Sequence, residues 1–343
     1  MTALCRRWTL FLIAVGSLTR LTLPAAANDQ SPPEIRVGII GLDTSHVVHF
    51  TRLLNAENPP PELAGCRVVA AYPQGSPDID SSVSRVPRYT QEVQAMGVEI
   101  VDSIAELLPR VDAVLLETND GRPHLRQALP VLKAGKRMFI DKPMAASLVD
   151  VIAIFEAAKH YGVPLFSTST LRYGKGTVAA HQGSIGPIVG CDTHCSCPLE
   201  PTHPDLFWYG IHGVEVLFTV MGTGCKSVSR THTAGEDLAV GVWEGGRIGS
   251  FRGMRVGKST YGGLAFGTTG TLEVGTYGGY EPLVVIIVDF FRHGVPPITA
   301  EETIEIFAFM EAADLSKARN GTPVKIAGLI AEAKIKAARK RDW

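Results

Sequence analysis

Short apolar segments alternate with helix-forming segments over the first half of this 343-residue chain, and this alternation limits the possible folds more than any other feature. Helical spacing follows several of the apolar segments, as at 47–54, 125–133 and 148–161. Strands separated by helices of this length are typical of an α/β domain with a parallel, doubly wound sheet. The predicted strands are 34–41, 67–72, 98–101, 111–116, 137–140 and 163–166.

The composition changes after about Leu171. Residues 188–286 are rich in glycine, threonine and short alternating runs, a pattern that predicts antiparallel strands with one solvated face. The sequence therefore predicts an α/β domain over residues 34–168 and an α+β domain with an open antiparallel sheet over residues 169–343. Helices of the second domain are predicted at 209–221, 300–320 and 326–339.

The N-terminus has a different character from both domains. Arg6 and Arg7 precede an apolar run over 8–19, and three alanines follow at 25–27. This layout is typical of a secretory signal peptide, so we expect residues 1–27 to be removed and the mature protein to be exported, in a periplasm, with no stable membrane span. The Sec route is favoured over twin-arginine export because the residues after the arginine pair match that signal poorly. A signal anchor is the alternative.

The net charge bears on nucleic-acid binding, and the cysteine spacing bears on metal and disulfide sites. Without the three arginines of residues 1–27, 30 basic residues face 34 acidic ones, a net charge of −4, so nucleic-acid binding is not expected. Cys191, Cys195 and Cys197 alternate along a predicted strand and should share one buried face. Their spacing is not that of a structural zinc site. A disulfide within this cluster is the alternative.

The turn after the first strand is where a phosphate-binding loop would lie. A dinucleotide-binding turn has the pattern G-x-G-x-x-G, but here only Gly41 is present, with Asp43 and His46 at the other two glycine positions. A carboxylate about 4 Å from a phosphate would cost roughly 4 kcal/mol at an effective dielectric of 20. If a cofactor binds, Asp43 must turn away, and Thr44 and Ser45 must supply the contacts. Alternatively, one of residues 43–45 simply caps the helix.

Six segments together resemble the Gfo/Idh/MocA family, which includes glucose–fructose oxidoreductase, inositol dehydrogenase and rhizopine-catabolism proteins. We identify the chain as a divergent, exported member of it. The resemblance implies a Rossmann domain followed by an α+β domain, oxidation of a sugar or polyol hydroxyl with NAD or NADP, and association into a homo-oligomer through the open sheet. The segments are 37–41, 111–116, 134–143, 185–190, 210–212 and 321–324.

The resemblance also implies site residues. Asp141-Lys142-Pro143 matches the family's E-K-P motif, in which the lysine favours the developing alkoxide. His212 matches the histidine of D-x-G-x-H, although Trp208 replaces the aspartate. Glu215, three residues along the same helix, is expected to hold the imidazole, so that His212 acts as the general base or acid. Substrate contacts are expected from aromatic side chains, namely Tyr173, Trp208 and Tyr209.

The cofactor residues implied by the family are less regular. The segment 118–124 aligns with the family's T-P-N-x-x-H loop with one extra residue, so either Asn119 or Asp120 fills the asparagine position. The second strand lacks a terminal acid for the adenosine ribose, and Gln74 or Ser76 stands there instead. No metal site is expected. The implied cofactor-binding set is Gly41, Leu42, Asp43, Thr44, Ser45, Thr118, Asn119, His124, Asp141 and Lys142.

Two functions follow from these observations. The first is an exported oxidoreductase that keeps NAD(P) tightly bound and runs redox-neutral chemistry on a sugar or polyol, since no free nicotinamide is expected outside the cytoplasm. The alternative is a cofactor-free member of the family, either a carbohydrate-binding protein or a non-redox glycoside-processing enzyme. Neither the sugar, nor the choice between NAD and NADP, nor the oligomeric state follows from the sequence.

Overall fold

The computed structural model of the protein describes residues 34–258, 260–341 and 343. The predicted signal peptide lies outside these residues. Two β-sheets organise the chain, with all strands of the first between residues 35 and 168 and all strands of the second between 188 and 325. Within the described residues, no helix is both long enough and apolar enough to cross a bilayer.

The first sheet has six parallel strands in the order β3-β2-β1-β4-β5-β6. The order reverses between β1 and β4, and ligands of doubly wound sheets bind at the carboxyl ends of the strands beside such a reversal. The strands are β1 (Ile35–Ile40), β2 (Cys66–Tyr72), β3 (Glu99–Ile100), β4 (Ala113–Leu116), β5 (Arg137–Asp141) and β6 (Leu165–Thr168). The helices between them are α1 (His46–Leu54), α2 (Asp80–Ala95), α3 (Ile104–Leu107), α4 (His124–Lys133) and α5 (Leu148–Tyr161).

Local signals explain the helices that match prediction best. Ser147 caps α5 by accepting a hydrogen bond from the backbone N–H of Asp150, and Gly162 ends it in the left-handed conformation at φ 65°. Ser103 caps α3 by accepting a hydrogen bond from the backbone N–H of Glu106. The predicted α/β architecture is confirmed.

The second sheet has seven strands in the order β12-β11-β7-β10-β9-β8-β13. Its pairs are antiparallel, as predicted, except for β7 with β10, which run parallel. The strands are β7 (Ile188–Ser196), β8 (Cys225–His232), β9 (Glu236–Trp243), β10 (Ile248–Met254), β11 (Gly262–Gly267), β12 (Gly270–Val274) and β13 (Val324–Lys325). The helices before and within it are α6 (Lys175–His181), α7 (Asp205–Trp208) and α8 (Ile211–Met221).

Three helices close the chain, and the first was not predicted. The helix α9 (Glu281–His293) falls partly in the region expected to form strands, because its Val284–Val288 run is rich in β-branched residues. It packs against the first sheet, in one apolar cluster with Ile39, Phe139 and Phe166. The helices α10 (Ala300–Ala318) and α11 (Ile326–Ala338) match the predicted pair.

The cysteines of the described residues are buried and free. Cys191, Cys195 and Cys197 do share the buried face of β7 and its extension, as predicted, with at most 1% of each exposed. The alternative of a disulfide within this cluster is wrong for this structure, because all three side chains pack into the apolar core.

Candidate functional site

A cavity of about 300 Å³ lies at the carboxyl edge of the first sheet, and elements of both sheets line it. This volume is at the lower end of ligand pockets and suits a small, sugar-sized ring. Seven of the predicted site residues line the cavity: Thr44, Ser45, Asn119, Lys142, Trp208, Tyr209 and His212. Sequence reasoning missed Arg85, Tyr89, Thr170, Tyr261, Tyr277 and Tyr280, which also line it.

Gly41 shapes the turn that follows β1. Its φ is +90°, and a Cβ atom there would lie only 2.5 Å from the backbone nitrogen of Thr118. Its N–H donates to the carbonyl of Tyr72, and that of Leu42 donates to the carbonyl of Gln74. Gly41 and Leu42 therefore form the turn and are not among the residues that line the cavity, and their contact with a cofactor stays a prediction.

Asp43 turns into the protein. Its side chain is fully buried, with Oδ1 accepting from the N–H of Asn119 at 2.8 Å and Oδ2 from the hydroxyl of Ser82 at 2.7 Å. Burial raises the pKa of Asp43 to about 6. If a cofactor binds at this turn, the Asp43 carboxylate must point away from its phosphates. In the structure the carboxylate points into the protein and meets this requirement. Its partners also show that Asp43 does not cap α1.

The start of α1 fits an anionic group. Ser45 stands at the N-cap position but makes no capping hydrogen bond, and Thr44 Oγ1 lies 3.4 Å from the backbone nitrogen of His46. A helix start with free N–H groups binds phosphate, and Arg85 adds a positive charge to the same cavity wall. The residues present therefore fit the pyrophosphate of a dinucleotide, with Thr44, Ser45 and Arg85 as its holders.

The loop after β4 is held by a buried histidine. The ring nitrogens of His124 lie 3.0 Å from the carbonyl oxygen of Met144 and 2.8 Å from that of Thr118. Burial lowers the pKa of His124. Thr118 and His124 were predicted to contact the cofactor, but both are fully buried and instead position the loop. Asn119, one of the two candidates for the family's asparagine position, lines the cavity.

Asp120 belongs to a separate cluster. It accepts from the hydroxyl of Ser76 at 2.6 Å and from Arg122, whose guanidinium also binds Asp78. Burial alone would raise the pKa of Asp120, but His203, Arg122 and Ser76 together hold that pKa well below its usual range. Ser76, one of the two candidates for a ribose contact, is therefore already engaged.

Lys142 and Asp141 end β5 but point to different places. Lys142 lines the cavity, with Nζ 5.7 Å from the ring centre of Tyr209. Asp141 is fully buried beneath it, and its Oδ2 lies 2.9 Å from Nδ1 of His46. The predicted cofactor contact of Asp141 is thus replaced by a contact with His46, because the aspartate side chain turns under the first turn of α1.

His212 is buried at the cavity wall. Its Nδ1 lies 2.7 Å from the hydroxyl oxygen of Ser169, which leaves Nε2 as the nitrogen available to a ligand. Burial lowers the pKa of His212 well below its usual value, and the nearby charge of Lys142 adds to this. His212 is therefore neutral at pH 7, the state in which imidazole accepts a proton.

Glu215 does not hold His212, and the predicted contact between them is wrong. The Glu215 carboxylate accepts from the N–H of Ser169 at 2.8 Å, from Nε of Arg172 at 2.9 Å and from the hydroxyl of Thr168. Arg172 in turn binds Glu302 of α10 at 2.6 Å. A buried guanidinium and a backbone donor satisfy this carboxylate better than a neutral imidazole would. Glu215 thus fixes Ser169, and Ser169 contacts His212.

Aromatic rings form much of the cavity wall. Trp208 and Tyr209 lie where the sequence places them, and the ring centres of Tyr209 and His212 are 5.5 Å apart. Tyr261 is 5.6 Å from His212, between centres, on its other side. Tyr173 does not line the cavity, because its side chain packs with the core of the first sheet. Flat rings around polar groups are suited to binding a carbohydrate or polyol ring.

The order of the six parallel strands and the tight turn after β1 are those of a doubly wound α/β domain. Residues 35–169 match the sequence model of the Gfo/Idh/MocA family, described as an oxidoreductase family with an NAD-binding Rossmann fold. Over these residues the chain is similar to that family, as the sequence predicts.

Curated relatives are similar to about half of the chain. Inositol 2-dehydrogenase 3 of Saccharopolyspora erythraea is 28% identical over 181 residues, which cover 50% of this chain and 47% of the relative. Inositol 2-dehydrogenase of Cereibacter sphaeroides is 30% identical over 149 residues, which cover 43% of this chain and 40% of the relative. The chain thus spans less than half the length of each of these relatives.

Solved structures share the whole architecture. A probable dehydrogenase from Thermotoga maritima has a TM-score of 0.69 and 18% identity, covering 86% of this chain and 99% of its own. A myo-inositol dehydrogenase from Lactobacillus casei, in complex with NAD(H) and myo-inositol, has a TM-score of 0.67 and 17% identity, covering 85% and 96%. At these identities the likeness shows the fold alone, and it confirms the predicted fold class.

Proposed function

We propose that this protein is an NAD(P)-dependent oxidoreductase that acts on a hydroxyl of a sugar or cyclic polyol. The observation that carries the proposal is that Lys142 and His212, from different halves of the chain, line one cavity together with the phosphate-binding turn. The relatives named as inositol dehydrogenases support the substrate class. Export and a tightly held, redox-neutral cofactor remain part of the proposal.

The chain's own residues handle the proton of this reaction. A bound nicotinamide supplies the hydride acceptor. Lys142 donates a hydrogen bond to the substrate oxygen and stabilises its developing negative charge. His212 accepts the hydroxyl proton at Nε2, since Nδ1 faces Ser169 and burial keeps the ring neutral. The aromatic wall of Trp208 and Tyr209 orients the ring that carries the hydroxyl.

The test is the nicotinamide content and the turnover of the full chain. The purified protein is denatured, the nicotinamide released per chain is measured, and binding of added NAD and NADP is titrated. Lys142→Ala and His212→Asn should each lower turnover of a polyol substrate at least 100-fold, a loss typical of removing a proton-transfer group, while cofactor binding to His212→Asn is retained. Absence of nicotinamide together with no binding of either dinucleotide would overturn the proposal.

A cofactor-free function of the same cavity is the second candidate. The hydrogen bond between Ser76 and Asp120 ties the loop after β2 to the loop after β4, at the place where a Rossmann domain binds the adenosine ribose. A protein without a dinucleotide would bind a polyol in isothermal titration whether or not NAD(P) is added. Under the first candidate, binding of the polyol should require the dinucleotide or be strengthened by it.

A further inference from the structure

Three buried side chains meet at the carboxyl edge of the first sheet. His46 begins α1, Glu117 follows β4, and Asp141 ends β5. One ligand atom from each, an imidazole nitrogen or a carboxylate oxygen, lies within 4.8 Å of the other two. Nδ1 of His46 is 2.9 Å from Oδ2 of Asp141 and 4.0 Å from Oε2 of Glu117. The topology brings them together because the carboxyl ends of neighbouring parallel strands share one edge.

Glu117 has no hydrogen-bond partner in this setting. Its side chain is fully buried, and neither carboxylate oxygen has a partner among the residues that the structure describes. Oδ1 of Asp141 is also unpartnered there. Burying a carboxylate without donors costs several kcal/mol, so such groups are paired, protonated or bound to a metal.

A proton or a cation can relieve the burial of this carboxyl group. Among the described residues, no donor reaches either oxygen of Glu117, so a carboxylate there is unpaired. Asp141 brings a second fully buried carboxyl group to the cluster. A cation between the side chains would neutralise this cluster and supply the missing partner to Glu117.

We propose that His46, Glu117 and Asp141 bind a first-row divalent cation, with Zn²⁺ the ion best matched to one imidazole and two carboxylates. Zinc holds such ligands at about 2.0–2.2 Å, so two ligand atoms of one ion stand no more than about 4.4 Å apart. The separations of 2.9 and 4.0 Å between His46 and the two carboxylates satisfy this limit. Three protein ligands leave a fourth position open.

The open position would face the ligand cavity. His46 lines that cavity beside Ser45 and Lys142, whereas Glu117 and Asp141 lie beneath it. The site would therefore present the cation to an oxygen of a bound molecule. This inference goes beyond the proposed function, because it requires neither a nicotinamide nor turnover, and its failure would leave the oxidoreductase proposal standing.

The experiment uses the full chain, stripped of metal with a chelator and titrated with ZnCl₂ in a calorimeter. One Zn²⁺ should bind per chain and raise the melting temperature, and Co²⁺ should give a visible absorption spectrum typical of imidazole and carboxylate ligands. Glu117→Gln keeps the side-chain volume and should weaken Zn²⁺ binding at least tenfold and abolish the shift in melting temperature. Glu311→Gln, a half-buried carboxylate outside the cluster, is the matched control and should bind as wild type does.

A second variant protects the test against misfolding. His46→Gln should lose the same Zn²⁺ site, and its far-UV circular dichroism and melting temperature without metal report whether it folds. Zinc binding of equal affinity in wild type, Glu117→Gln and His46→Gln would overturn the proposal, as would no binding to wild type. A rise in metal-free melting temperature for Glu117→Gln, with no response of wild type to Zn²⁺, would assign Glu117 instead as a protonated buried acid.

Discussion

At the residue scale, the hydrogen bond between Ser169 and His212 makes Ser169 a positioning residue of the proposed reaction. Ser169→Ala removes a hydrogen bond worth about 1–1.5 kcal/mol, so we expect kcat to fall about tenfold with little change in KM. The pH at which the rate is half-maximal should also shift, because the environment of the His212 ring changes. Steady-state kinetics across pH measure both effects.

The conservative variant is the control for Ser169. Ser169→Thr keeps a hydroxyl at the same place and should recover most of kcat. If Ser169→Ala lowers the melting temperature but leaves kcat and the pH profile unchanged, the contact with His212 is structural only. Equal losses of kcat in the alanine and threonine variants would also contradict the positioning role.

Asp43 should make the protein less stable as the pH rises through its titration range. Its folded-state pKa is about 6 against an ordinary value of 3.8, because burial disfavours the charged form. The folded state therefore binds the proton more tightly, and the destabilisation is absent below pH 3.8 and fully present above pH 6. A shift of this size corresponds to roughly 3 kcal/mol of unfolding free energy.

Asp43→Asn removes this titration. Urea unfolding at several pH values should show the variant gaining stability relative to wild type between pH 4 and pH 7. Asp289→Asn, an exposed carboxylate on α9, is the control and should keep a nearly constant difference from wild type. A difference between Asp43→Asn and wild type that does not change with pH would contradict the raised pKa.

The place of some site residues can be predicted from the sequence, whereas that of others cannot. Lys142 and His212 stand in short motifs whose chemistry is readable, and the structure brings both to one cavity. Ser169, Arg85 and Glu117 stand in no motif, because their places depend on contacts between segments far apart in the chain. The sequence marks the Asp43 carboxylate as unfavourable beside a phosphate. It does not reveal that Asp43 is buried against Ser82, because Ser82 lies in α2, a helix that was not predicted.

At the element scale, helices with strong end signals were predicted well and helices defined by packing were missed. The start and end of α5 are fixed by Ser147 and Gly162, which act locally. The helix α2 carries Pro87 in its interior and few buried residues, so it lacks a clear apolar stripe. The β-branched run of α9 favours a strand, and only its packing on the first sheet makes it a helix.

That packing predicts a large contribution of α9 to stability. Phe290 is 1% exposed and its ring lies 4.9 Å from that of Phe166 in β6, measured between centres. Phe290→Ala should destabilise the protein by about 3–5 kcal/mol, since it leaves a cavity in the core. Asp289→Ala, on the exposed side of the same helix, should change stability by less than about 0.5 kcal/mol. Chemical denaturation measures both, and similar effects would refute the packing role.

At the scale of the whole molecule, the two halves of the chain complete one site and one core. His203, which precedes α7, accepts a hydrogen bond from the N–H of Gly121 in the loop after β4. Arg172 joins the segment after β6 to α8 and α10 through Glu215 and Glu302. The proposed proton-handling pair also combines one residue from each half of the chain, with Lys142 directly after a strand of the first sheet and His212 on a helix over the second. The alternation of strands and helices predicted both sheets, but not these connections.

The family-matched segment should therefore not fold alone. Residues 34–169 contain every strand of the first sheet, yet without α9 the face that includes Ile39 and Phe139 loses its cover. Without α10 and α11, the helix α5 keeps α4 as a neighbour but loses the two C-terminal helices that pack against it. A fragment of these residues should bind the dye ANS, show weak near-UV circular dichroism and unfold without a cooperative transition, whereas the chain 34–343 should unfold cooperatively. Residues of α9 and of β1 belong to one apolar cluster, so we expect the loss of α9 to destabilise the first sheet. A cooperative unfolding transition of the isolated fragment would contradict this expectation and would mean that the Rossmann core is stable without the C-terminal helices. In that case Phe290→Ala should weaken only the attachment of α9 and leave the first sheet protected from hydrogen exchange.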